Sequence, residues 1–189
     1  MKKIAILIFL MLLSLFLATP TFASQDIEET LDELNLTGEI IYQDDEITVR
    51  SFGDNPEIAE AIFNHPDSVV ADNSLIENKN DFTPFSSVTG PGGRSSIVAS
   101  DTGRSVYWSV KPATSWPYSF SGLVKLRYYS GFSRDVPVGG ISALGKTLSG
   151  TVTMNKNNGG VTSLSGTAVA INGSAYTVLP GVSTTFRAN

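Results

Sequence analysis

Beyond residue 104 apolar side chains recur at every second position. Val106, Trp108 and Val110 alternate with Ser105, Tyr107, Ser109 and Lys111, and Val124, Leu126 and Tyr128 alternate with Lys125, Arg127 and Tyr129. A period of two with one apolar face predicts strands half-buried in a sheet, because successive Cβ atoms point to opposite sides. Further on, Leu148, Val152 and Met154 fall in phase across Thr147, Thr151 and Thr153, and Asn157-Asn158-Gly159-Gly160 predicts a turn into a strand over 161–171. Asn172-Gly173 then predicts a two-residue type I′ hairpin, since both positions tolerate positive φ. That turn would pair Ile171 with Ser174, Val169 with Tyr176 and Thr167 with Val178. The last 43 residues are thus expected to form a meander of three strands, with 182–186 as a fourth. Six to seven strands in about 95 residues is the spacing of sandwiches and barrels. The predicted fold class is mainly β, a C-terminal antiparallel β-sandwich of immunoglobulin-like size preceded by a small acidic α/β segment.

The first part of the chain has a different rhythm. Residues 26–36 place Ile27, Leu31 and Leu34 on one helical stripe, with Glu28, Glu29, Asp32 and Glu33 opposite. The stretches 39–42 and 46–52, joined at Gln43-Asp44-Asp45, read as a hairpin. Asn55-Pro56-Glu57 combines a capping amide, a proline in the first turn and a carboxylate at the positive helix end. The helix it opens, over 58–64, closes before Pro66. From 67 to 93 periodicity fades into Gly90-Pro91-Gly92-Gly93, which predicts a linker.

The start of the chain reads as a secretory signal peptide over 1–23. Lys2-Lys3 precede an apolar run that is shorter than a spanning helix, and Thr21 and Ala23 supply the small residues of a cleavage site after Ala23. The expected organisation is then a signal over 1–23, an acidic helix-hairpin-helix segment over 24–66, the linker over 67–93 and a basic sandwich over 94–189. No Cys is present, so neither disulfides nor a thiolate metal site enter, and an exported product must rest on its hydrophobic core. The formal net charge of −5 conceals a division. Residues 24–81 hold 16 acidic side chains against Arg50 and Lys79, a net of −14, whereas 82–189 hold nine basic ones against Asp101 and Asp135, a net of +7.

Candidate chemistry is sparse. Residues 140–147 match the phosphate-loop pattern G-x-x-x-x-G-K-T, but β-branched residues and Gly150 follow where that motif needs a helix, so a turn between strands and no nucleotide are expected. His65 is the sole histidine, in a His-Pro-Asp segment where a capping or surface role is the ordinary reading, and no G-x-S-x-G elbow accompanies it. Asp101 and Asp135 are the only carboxylates of the sandwich, too few to read as a glycosidase pair without help from topology. Asp44-Asp45-Glu46 lacks the alternating oxygen ligands of a calcium loop and reads as a solvated hairpin tip. The expectation is no catalytic residue, no metal and no cofactor.

The aromatic block from Tyr107 to Phe132 includes both tryptophans, with cations interleaved. By phase, Trp108 and Tyr128 face the core, while Tyr107 and Tyr129 share the outward side with Lys111, Lys125 and Arg127. Exposed aromatics beside cations stack on rings and neutralise anionic polymers. Tyr107, Lys111, Lys125, Arg127, Tyr129 and Arg134 are therefore the candidate ligand-binding residues. Outside a cell the accessible anionic partners are cell-wall polymers or membrane headgroups, and nucleic acid is not expected. The layout, a lysine-led signal, an acidic pre-region and a Cys-free sandwich, is similar to that of many small secreted proteins of Gram-positive bacteria. The expected function is a secreted, non-enzymatic binder of the cell envelope or another anionic extracellular partner, its basic face shielded by the acidic segment. The alternative is a proprotein whose C-terminal domain is released by cleavage near 73–93 as an antimicrobial or toxin-like protein. A third arrangement, in which the acidic part packs on the sandwich as one α+β domain, also accounts for the charge division.

Overall fold

The computed structural model describes residues 31, 36–65, 70–72, 86–156, 158–178 and 182–188. Among them the chain is mainly β, with two sheets packed as a sandwich. The elements are β1 (Glu39–Gln43), β2 (Ile47–Gly53), α1 (Pro56–Phe63), β3 (Val70–Asp72), β4 (Ser87–Gly90), β5 (Gly93–Ala99) and β6 (Ser105–Pro112), followed by β7 (Tyr118–Tyr128), β8 (Ser133–Ser142), β9 (Leu148–Met154), β10 (Asn158–Ala170), β11 (Ala175–Thr177) and β12 (Ser183–Ala188). The larger sheet has the order β1-β2-β9-β6-β5-β4-β3, and the smaller has β11-β10-β7-β8 with β12 also on β10. The strand pairs are antiparallel apart from β3–β4. The predicted signal over 1–23 and most of the predicted helix over 26–36 lie outside the described residues.

The alternating pattern explains the core. Val106, Trp108 and Val110 of β6 face Phe120, Val124 and Leu126 of β7 across the sandwich, and Trp108 packs on Phe120 with ring centroids 5.8 Å apart. Each such side chain, fully buried, contributes about 1.5–3 kcal/mol against exposure. On the other side of the larger sheet, Ile58 and Ile62 of α1 join Leu31, Val98 and Tyr107 in a second cluster. The helix starts as its sequence requires: Asn55 Oδ1 accepts from the N–H groups of Glu57 at 3.0 Å and Ile58 at 3.4 Å, with Pro56 in the first turn. Arg94 of β5 fixes the other end, stacking 4.2 Å over the Phe63 ring and donating to the Phe63 carbonyl at 2.8 Å.

Four expectations differ from the structure. First, β9 does not begin a meander. It lies between β2 and β6 in the larger sheet, and the turn after it crosses to the other sheet. Its threonines looked solvent-facing, yet Thr151 is buried, because a central strand is covered on both sides. Second, the hairpin at Asn172-Gly173 has three loop residues. Ala170 N–H donates to Ser174 O, Gly173 N–H donates to Ala170 O, and only Gly173 of the loop has positive φ, at 85°. The result is a type I turn followed by a left-handed glycine. Thr167 therefore pairs with Thr177 and Val169 with Ala175, one residue out of the predicted register.

Third, the acidic segment is not a unit apart. β2 pairs along β9, Ile47 opposite Met154 and Val49 opposite Val152, and both apolar side chains lie in the main core. Among the described residues, Glu39, Asp45, Glu46, Glu57 and Glu60 are exposed, while the apolar Ile47 and Val49 decide where β2 packs. Fourth, part of the predicted linker is sheet. β4 and β5 form a hairpin closed by the Gly90–Gly93 pair. Gly93 has φ of 123°, and a Cβ there would lie 2.2 Å from the Lys111 carbonyl, so the glycines serve a tight turn and not a loose tether.

Candidate functional site

The two sheets differ in what lies outside them. The outer side of the larger sheet is covered by α1 and Leu31. On the smaller sheet no described element packs on the outer side, and Ile141 and Val169 are exposed there. This open face is lined by the odd-numbered residues of β7 and β10, because the even-numbered Val124, Leu126, Leu164 and Ala168 turn inward.

At one end of the open face the cations collect. Lys125 and Arg127 stand two residues apart on β7, about 7 Å along a strand, opposite Asp135 and Ser133 of β8. Arg127 forms an exposed ion pair with Asp135 at 2.7 Å. Tyr129 follows in phase, 70% exposed, its N–H donating to Gly159 O at 2.9 Å. A Cβ on Gly159 would lie 3.2 Å from the Tyr129 ring, so the absence of that carbon lets the ring lie along β10. On the far side of β10, Phe186 of β12 turns into the core, which turns Arg187 outward beside Gly159. The row Tyr129, Gly159, Arg187 thus continues the stripe of Lys125 and Arg127. Arg187 was not singled out in the sequence, because a lone cation near the chain end shows its neighbours only once β12 is paired.

Of the six candidate residues the structure brings together Lys125, Arg127 and Tyr129. Tyr107 and Lys111 lie on the larger sheet, facing the other side of the sandwich. Tyr107 is a correction: it is 0% exposed, and its hydroxyl donates to the Leu31 carbonyl at 3.2 Å. Strand phase gave its side of the sheet correctly but could not show that a helix covers that side. Trp108 and Tyr128 do face the core.

Arg134 has a third environment. Its guanidinium donates to Glu46 Oε2 at 2.6 Å and to Asp44 Oδ2, so the tip of the acidic hairpin occupies it. The tip is itself ordered: Asp44 Oδ1 accepts from the N–H groups of Glu46 and Ile47, each at 2.8 Å, and Oδ2 accepts from the Tyr42 hydroxyl. These donors, the Ile47 N–H foremost, hold the Asp44 carboxyl well below the usual carboxylate range, against a smaller opposing effect of desolvation. A second contact of the same sign pattern joins Asp54 to Lys146 at 3.7 Å.

The remaining motifs fall into structural positions. Residues 140–147 form the end of β8 and a turn with Leu144 at φ 50° and Gly145 at φ 66°, leading into β9. His65 is buried just beyond α1. Asp101 lies in the β5–β6 turn of the larger sheet, whereas Asp135 is on the smaller one. Among the described residues no group of acidic or histidine side chains is arranged to hold a metal ion.

No protein-family model matches the chain, and no curated protein matches it. Among solved structures, a Bordetella pertussis protein under the provisional name ApaA is similar with a TM-score of 0.36 and 14% identity, over 50% of this chain and 88% of its own. The X-ray structure of a Northeast Structural Genomics Consortium target is similar with a TM-score of 0.36 and 9% identity, over 53% of this chain and 77% of that one.

Proposed function

We propose that the protein is exported through its N-terminal leader and acts outside the cell as a non-enzymatic binder of anionic cell-wall polymer. The observation that carries this reading is the open outer face of the smaller sheet, where Lys125, Arg127, Tyr129 and Arg187 form one stripe. Such a stripe can neutralise a flexible polyanion at several points and place an aromatic face against its rings. The acidic segment shields part of the basic charge, through Asp44 and Glu46 on Arg134 and Asp54 near Lys146, but leaves Lys125 and Arg127 outside these contacts. What supports an intact chain over a released fragment is β2: freeing 94–189 would strip it from β9 and remove Ile47 and Val49 from the core.

The test is retention of the 24–189 protein on purified anionic cell wall across a salt series. Retention at low ionic strength that fades as the Debye length contracts from ~10 Å at 0.1 M to ~3 Å at 1 M supports the proposal. Salt-independent retention, or none, overturns it. Binding to anionic vesicles but not to wall would assign the same face to membrane headgroups and refute the wall as partner.

A further inference from the structure

At the end of the sandwich, Glu46, Tyr128, Ser130, Phe132 and Lys156 line a cleft of about 170 Å³. Three segments build it: the turn after β1, the turn between β7 and β8, and the residues after β9. Asn155 ties two of them together, its side chain donating to the carbonyls of Asp44 at 3.4 Å and Asp45 at 3.2 Å. A cleft of about 170 Å³ has room for a six-membered ring.

Its lining combines an apolar plane with closely spaced polar atoms. Phe132 is 49% exposed and leans on Tyr128, with ring centroids 5.6 Å apart at 46°. Tyr128 is only 9% exposed, fixed on its other side by an edge contact with Phe186 at 5.4 Å. Its hydroxyl nevertheless has no hydrogen-bond partner among the described residues, and it senses both Glu46 and Arg134 electrostatically. A phenol whose ring is held in the core and whose hydroxyl opens to the cleft offers a donor and an acceptor to whatever enters. Glu46 gives one oxygen to Arg134, which leaves its other oxygen to accept, and Ser130 adds a hydroxyl.

Charge decides among ligand classes. Of the five lining residues only Glu46 and Lys156 are charged, with opposite signs, and Asp44 is paired with Arg134, so the lining itself carries no excess charge to select an anion or a cation. An aromatic plane, two hydroxyls and one carboxylate acceptor with balanced lining charges match a neutral pyranose, whose C–H face stacks while its hydroxyl edge exchanges hydrogen bonds. We infer that this cleft is a binding site for a single neutral sugar ring. The inference stands apart from the basic stripe, since no residue of the stripe lines the cleft.

The experiment titrates methyl glucoside, methyl galactoside and N-acetylglucosamine separately into the 24–189 protein and follows backbone amide NMR shifts. The expected result is saturable, millimolar binding of at least one sugar, with shifts confined to residues near 46, 128–132 and 156. Tyr128→Phe, which removes only the hydroxyl, should weaken that binding about fivefold, and Phe132→Ala about tenfold. Lys125→Gln with Arg127→Gln should leave it unchanged, so loss of polymer retention and loss of sugar binding are read independently. No shift with any sugar up to about 100 mM, shifts unaffected by both cleft variants, or equal shifts with glycine or acetate would each overturn the inference.

Discussion

Replacing Ile47 by Ala tests whether the acidic segment is part of the sandwich or a cover that can be lifted off. Ile47 is 1% exposed, pairs with Met154 on β9 and belongs to the core that includes Trp108. The substitution removes three carbons, about 2.4 kcal/mol of transfer free energy at ~0.8 per group. With the cavity left in a closely packed interior, the expected loss is about 3 kcal/mol. At a urea slope of ~2 kcal/mol per molar, the unfolding midpoint should fall by about 1.5 M. Tryptophan fluorescence of a Trp116→Phe background, which reports Trp108 alone, and far-ultraviolet circular dichroism should move together in one transition, because β2 and β6 flank the same strand. Ile40→Ala on the exposed edge strand β1 is the control and should change stability by under about 0.5 kcal/mol. A separate early transition in Ile47→Ala that leaves the Trp108 signal at the wild-type midpoint would refute the reasoning.

Other consequences follow from local packing and titration. Gly150 lies where a Cβ would meet the Arg50 carbonyl at 2.6 Å and the Trp108 ring at 2.8 Å, so Gly150→Ala should cost about 1–3 kcal/mol by overpacking, read from the same urea curves. The buried Tyr118 donates its hydroxyl to the Lys146 carbonyl at 2.7 Å, and burial pushes its pKa from 10.0 up to about 12. Its contribution is complete below pH 10 and is lost as pH rises towards about 12; Tyr118→Phe should flatten that alkaline fall in melting temperature. Asp44 titrates below its ordinary value of 3.8 in the folded state, so its contribution is present above that pH and fades as pH falls through the acid range. Asp44→Asn should flatten the acid limb of a stability-pH curve, and an unchanged limb would contradict the assignment.

The strands of the C-terminal part were legible because each buries one side: Trp108, Val124 and Leu126 mark their own phase. What the phase does not encode is the partner. β9 carries Thr151, which looks wet and is dry, because β2 and β6 flank the strand and α1 packs on their sheet. Asn172-Gly173 fits two hairpin geometries equally well in sequence, and the one adopted moves every pair on β11 by one residue. The charge division was visible, but charge does not say where the acidic segment packs: Ile47 and Val49 enter the core of the sandwich whatever the sign of their acidic neighbours, the arrangement of one α+β domain. The candidate site shows the same limit. Lys125, Arg127 and Tyr129 could be grouped from one strand, but Arg187 joined them only through β12, and Tyr107 left them under a helix. Tyr128 and Phe132 share one turn, but Glu46 and Lys156 join them from segments distant in sequence, and no spacing pattern shows that meeting.

The central claim is that the open face of the smaller sheet binds anionic cell wall through its cationic stripe. The most direct measurement is low-salt retention of the 24–189 protein carrying Lys125→Gln and Arg127→Gln, compared with the parent. Exposed charges of this kind contribute little to stability, so the melting temperature should stay nearly constant while retention falls sharply. Wild-type retention in the double variant, with both proteins folded, would contradict the account.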